Sequence, residues 1–121
     1  MERKFINALG FVSLLLFPIL SFSSVMNGMK FYQDGEVSFL ELSFDRHDVL
    51  AKRFSIVEDK QIIIDLKNVQ ADKKTIRSFD TSEFKGSVVF VSAYKKPKTI
   101  SDLRIAIQLR ENVRSILQRK G

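Results

Sequence analysis

Cysteine is absent from this chain, histidine occurs once, at position 47, and proline only at positions 18 and 97. Each scarcity removes a class of chemistry. Without cysteine there is no disulfide to brace a small domain, no thiol nucleophile, no thiolate site for a soft metal and no lipid-modified cysteine to tether an exported protein. Acyl transfer by serine needs a base held beside the nucleophile and oriented by a third group, and the one imidazole falls in the turn-favouring stretch Asp45-Arg46-His47-Asp48. Asp45, His47 and Asp48 offer donors on neighbouring turn residues, a pattern that reads as a capped turn in preference to a metal site. Glycosidase chemistry needs two carboxylates across a cleft, for which a domain of roughly 100 residues has little room. The expectation is a non-catalytic protein with no metal and no cofactor.

The amino-terminal residues indicate where the protein works. A short basic start, Met1-Glu2-Arg3-Lys4, leads into an apolar run over residues 5–20, and Ser21-Phe22-Ser23 places small residues where a signal peptidase reads. The run is shorter than the ~20 residues of a membrane-spanning helix, contains Pro18 and is followed by no charged stop-transfer pattern. Residues 1–23 are therefore expected to be a cleavable signal peptide and residues 24–121 the mature domain, exported and without a membrane span. A retained anchor is the rival reading, because Phe22, Val25 and Met26 extend the apolar stretch past the cleavage point.

Beyond the leader the hydrophobic period is two almost throughout, which predicts strands and an all-β domain. Residues 37–45 (VSFLELSFD) put Leu40, Leu42 and Phe44 on one face and Phe39, Glu41 and Ser43 on the other. Residues 51–57 (AKRFSIV) and 61–69 (QIIIDLKNV) flank the tight charged turn Glu58-Asp59-Lys60 and predict a hairpin. Residues 70–86 read as a surface connection with a helical turn near 72–76. Residues 87–94 (SVVFVSAY) and 103–109 (LRIAIQL) are further strands, separated by a loop in which Pro97 forbids continued pairing. Residues 113–118 fit a strand or a helical turn about equally. The inward sets predict a core of Leu40, Leu42, Phe44, Phe54, Ile56, Ile62, Ile64, Leu66, Val89, Val91, Ile105, Ile107 and Leu109. Ile62-Ile63-Ile64-Asp65-Leu66 and Ile105-Ala106-Ile107-Gln108-Leu109 share an Ile-x-Ile-x-Leu signature. One such strand in each of two facing sheets suggests a small β-sandwich of two short sheets with pseudo-symmetric halves.

This order of features, with the IIIDL core of residues 62–66 and Arg104 opening a later strand, resembles the AMIN domain over residues 29–109. The resemblance implies a small periplasmic β-sandwich of the kind that localises N-acetylmuramoyl-L-alanine amidases and type IV pilus secretins by binding peptidoglycan. The family pattern carries a further strand after a turn. Here the corresponding segment is the weak 113–118, so an open sheet edge is expected near it. No amidase or secretin module accompanies the domain in this sequence.

The formal net charge is +6. Tyr94-Lys95-Lys96-Pro97-Lys98 sets an aromatic beside three cations, and Arg104 stands outward on the following strand; Arg77, Arg110 and Arg114 add positive charge. Under the resemblance, the cations suit the lactyl and peptide carboxylates of peptidoglycan and the aromatic suits its sugar rings. The candidate ligand-binding residues are thus Tyr94, Lys95, Lys96, Lys98 and Arg104. The alternatives are that these are solubilising loop charges and that Tyr94 closes the end of the core. Nucleic acid is a poor partner, since no strand interleaves aromatics with cations and the chain carries an export signal. The competing function is a protein-protein interaction module that pairs an exposed edge strand with a periplasmic or outer-membrane assembly such as a secretin, pilus or division component. Amino-terminal sequencing of the exported protein should begin at Ser24; recovery of a form that keeps residues 1–20 in the inner membrane would reject cleavage.

Overall fold

The computed structural model describes residues 23–120; the expected signal peptide, apart from Ser23, lies outside the described residues. Eight strands follow one another: β1 (Ser24–Asp34), β2 (Val37–Phe44), β3 (Leu50–Ile56), β4 (Gln61–Lys67), β5 (Val69–Gln70), β6 (Ser78–Asp80), β7 (Val88–Lys95) and β8 (Leu103–Leu109). They form a three-stranded sheet, β2-β1-β5, and a five-stranded sheet, β3-β4-β8-β7-β6. The architecture is the expected all-β sandwich. No helix among the described residues is long and apolar enough to cross a membrane.

Turn chemistry sets the hairpins. Asp34 pairs with Val37 around Gly35, whose φ of +62° at the first central position suits a type II′ turn and would strain any residue with a Cβ. The β3–β4 connection is a 3₁₀ turn, Val57–Asp59, closed by Lys60 in the left-handed region, whose N–H donates to the Val57 carbonyl at 3.1 Å. Between β5 and β6 the expected helical turn is present. The Ile76 N–H donates to the Asp72 carbonyl, and the Asp72 carboxylate accepts from the Thr75 N–H at 2.9 Å. Residues 113–118 adopt neither strand nor helix.

The core lies between the sheets and is built from Met26, Met29, Val49, Ile62, Ile64, Leu66, Val69, Val91, Ala93, Leu103, Ile105, Ile107 and Leu109. Leu40, Leu42 and Phe44 pack against it half-buried, on the face assigned from the alternation. Three expectations are corrected. Phe54 pairs with Ile63 and Ile56 with Gln61, so both point to the outer face of the five-stranded sheet, while Ala51 beside Leu66 packs on the core. Strand β7 shifts register between Val88 and Phe90, so that Val88 and Val91 face the core and Val89 is the extra residue of a bulge. The two Ile-x-Ile-x-Leu strands do not lie in facing sheets. They are neighbours, with Ile62 opposite Ile107 and Ile64 opposite Ile105. Their likeness reflects a shared place at the centre of one sheet.

Strand β1 was not anticipated from the alternation. Its register also shifts, between Met26 and Gly28, which lets Met26 and Met29 both face inward despite their odd spacing. Its first residues pair in parallel with β5, the Ser24 N–H donating to the Asn68 carbonyl at 3.1 Å. Asn68, at φ +56°, is the hinge by which the chain leaves β4 for the other sheet. Ile64 and Ile105 are buried at the centre of this arrangement. Replacing either by Ala should cost about 2–5 kcal/mol in urea denaturation, and Phe54→Ala distinctly less. Equal losses at Ile105 and Phe54 would contradict the assigned faces.

Candidate functional site

Antiparallel partners point to the same face, so the register lays out the outer surface of the five-stranded sheet in rows. One row reads Lys52, Asp65, Arg104, Tyr94. The next reads Phe54, Ile63, Ala106, Ser92, and the third Ile56, Gln61, Gln108, Phe90. Ile63 is buried, whereas Tyr94 and Phe90 are exposed. Gln61 donates through Nε2 to Gln108 Oε1 at 3.2 Å, and Gln108 Nε2 in turn reaches the Asp59 and Lys60 carbonyls. The face carries aromatic rings at its margins and side-chain amides and charges between them.

Asp65 organises its charged end. Arg104 approaches as a fork, Nε donating to Oδ1 at 2.7 Å and Nη2 to Oδ2 at 3.0 Å. Lys96 Nζ lies 3.2 Å from the same Oδ2. The guanidinium also stands over the Phe54 ring, 6.0 Å from its centroid. The hydrogen bond from Arg104, reinforced by Lys96, holds the Asp65 carboxyl below its ordinary value against the opposing effect of burial. The same bond raises Arg104, with Tyr94 contributing.

The five residues singled out from the sequence are brought together only in part. Tyr94 and Arg104 are cross-strand partners, and Lys96 joins them through Asp65. Two cations shared with one carboxylate leave that trio a single net positive charge. Lys95 pairs with Leu103 and points to the opposite side of the sheet from Tyr94. There it borders a cleft of about 200 Å3, also lined by Val69, Ala71, Ile76, Ile100 and Asp102. Lys98 is exposed in the loop, at φ +66°. Arg77 and Arg110 are engaged elsewhere, donating to the Met29 carbonyl and to the Gly86 and Ser82 carbonyls. At the β2–β3 turn the Asp45 carboxylate accepts from the Val25 N–H of β1 at 2.8 Å and Asp48 pairs with Arg46.

A family model for the AMIN domain matches residues 30–119. The chain belongs to the AMIN-domain family. No curated protein and no solved structure gives a significant match. AMIN domains are non-catalytic targeting domains, typically periplasmic and associated with peptidoglycan, and membership supports that general role here.

Sequence reasoning missed the part played by Asp65. Its signal was present as a carboxylate set between Ile64 and Leu66, both of which face the core. What was missing was the register that sets it opposite Arg104. Because the Asp65 pKa is depressed on folding, its contribution to stability is present above the unfolded value of about 3.9 and is lost as pH falls through the lower folded value. Asp65→Asn should lower stability at pH 7 by about 1–2 kcal/mol, and the gap to the parent should close as the pH is taken below about 4. A gap independent of pH, measured by urea denaturation at several pH values, would show that the carboxylate's charge contributes nothing.

Proposed function

We propose that this AMIN domain is exported to the periplasm and binds peptidoglycan without cleaving it, through the Tyr94 end of the outer face of the five-stranded sheet. Family membership carries the ligand class. The observation that supports the surface is the row Asp65, Arg104, Tyr94 with Lys96 beside it. An exposed phenol offers a face to a sugar ring, and the Arg104 and Lys96 cations supply donors for the lactyl and peptide carboxylates of the glycan strand. Gln61, held by its bond to Gln108, offers its amide oxygen to the N-acetyl groups further along the same face. Lys95 and Lys98 add positive charge around the rim, beyond the part neutralised by Asp65. The predicted leader, cleaved after Ser23, delivers the domain to this ligand.

A pull-down on purified sacculi tests the reading. The domain should co-sediment, and less so as salt shortens the screening length below ~8 Å. Replacing Lys95, Lys96 and Lys98 together by Ser should lower the bound fraction several-fold, with a change in thermal midpoint limited to the loss of the Lys96–Asp65 ion pair, since Lys95 and Lys98 are exposed charges that contribute little to folding. A triple variant that binds as the parent does would move the site elsewhere. A parent that stays in the supernatant would reject peptidoglycan as the ligand and favour the edge-strand interaction module.

A further inference from the structure

The free edge of β2 and the segment that follows β8 are complementary in backbone, charge and apolar character. Strand β2 is the outer strand of its sheet. In a two-residue hairpin the closing pair is hydrogen-bonded and alternate pairs repeat it, so Val37, Phe39 and Glu41 bond to β1. Ser38, Leu40 and Leu42 then direct their N–H and C=O groups away from β1. The same alternation turns the Met29 backbone to the far edge of β1, where Arg77 Nη2 donates to its carbonyl at 3.0 Å. No described residue covers the β2 edge in that way: among the described residues, no backbone or side-chain hydrogen bond reaches its outward groups.

The surroundings of this edge carry more acid than base although the protein is basic; Lys30 of β1 lies opposite Glu41 and Arg46 follows Asp45. Residues 31–45 carry Asp34, Glu36, Glu41 and Asp45 and no lysine or arginine. Residues 112–120 (NVRSILQRK) carry Arg114, Arg119 and Lys120 and no acid. That segment is held only by side chains: Asn112 Nδ2 donates to the Val57 carbonyl, Arg53 to Ser115 Oγ, and Arg119 to the His47 and Val49 carbonyls. Val113, Ile116 and Leu117 remain 39%, 73% and 49% exposed. It is neither strand nor helix and makes no ladder of its own.

We infer that residues 112–120 of one copy add as a strand to the free β2 edge of a second copy. Pairing of β2 with itself across a two-fold axis is disfavoured, because it would bring together two copies of Glu41 and of the flanking Asp34, Glu36 and Asp45. The basic segment after β8 meets that edge with opposite charge, and a backbone ladder replaces a handful of side-chain bonds, of which the one from Arg119 to the Val49 carbonyl is part-buried. Edge and segment are different surfaces, so the contact is head-to-tail and propagates into rings or short filaments. A domain arrayed in this way presents many copies of its outer sheet face to an extended ligand, whatever that ligand is.

Sedimentation velocity on the chain from residue 24 onward should show a mass that rises with protein concentration and falls with added salt. A fluorescent peptide of residues 112–120 should bind the same protein and suppress the association. Glu36→Lys combined with Glu41→Lys, both exposed positions, should weaken peptide binding at least tenfold, and a peptide carrying Arg114→Glu and Arg119→Glu should restore it to that variant. Recovery by the charge-swapped peptide separates loss of the contact from loss of the fold. A protein that stays monomeric and binds no peptide overturns the inference, as does association unaffected by the lysine variant or by the peptide. Neither readout depends on sacculus binding.

Discussion

The pairing of β4 with β8 sets both faces of this domain at once. On the inner side it brings Ile62 against Ile107, Ile64 against Ile105 and Leu66 against Leu103, the middle of a core that has no disulfide to support it. On the outer side the same register sets Asp65 opposite Arg104. A slip of one residue would turn the isoleucines to solvent and the carboxylate into the core, so the apolar penalty and the cost of burying a charge enforce the same alignment. The surface chemistry is therefore coupled to the folding of the core. The Arg104 guanidinium is held in place by the carboxylate on the neighbouring strand.

Two bulges adapt the sandwich around that pair. One in β1 and one in β7 each insert a residue between inward positions, so that Met26 with Met29 and Val88 with Val91 face the core at a spacing of three. Such a bulge bends and twists the strand that carries it, which helps a short sheet curve over a longer one. The β1–β2 hairpin is further seated by the β6–β7 loop. Phe84 lies with its ring centroid 5.5 Å from that of Phe31, and Gly86 packs so close to Gln33 and Ser38 that a Cβ would come within 2.5 Å of their side chains. The outer face of the hairpin carries its own cross-strand pair, Tyr32 stacked on Phe39 at 4.9 Å with Lys30 over the tyrosine. The sheets thus differ in what they show to solvent. The larger presents an ion network with amides, the smaller a compact aromatic stack beside acidic groups.

An AMIN domain gives each face a ready interpretation, because targeting domains act by presenting surfaces and not by enclosing substrate. The cleft beside Lys95 is small, and the candidate chemistry lies on open strands. An open strand face suits an extended glycan. A free strand edge suits an extended peptide segment. The two lie in different sheets, so the proposed ligand binding and the proposed self-association can be tested independently.

Period-two alternation was enough to assign the all-β class, the β3–β4 hairpin, the inward faces of β2, β4 and β8, and the loop around Pro97. In those strands one residue in two meets the core without interruption, and composition alone carries that signal. The alternation failed where a third dimension intervened. It could not place Phe54 and Ile56, because β3 is an edge strand whose inner side needs only Ala51, and aromatic and aliphatic residues are tolerated on its outer face. It could not resolve β1 or β7, because a bulge changes the phase of the pattern inside a strand. For the site, the sequence identified Tyr94, Lys96 and Arg104 as neighbours in chemistry, but their meeting around Asp65 joins residues 39 positions apart. That contact, the opposite direction of Lys95 and the uncovered edge of β2 follow from which strand lies beside which. Strand order is decided by the packing of the whole chain, and no local stretch of sequence contains it.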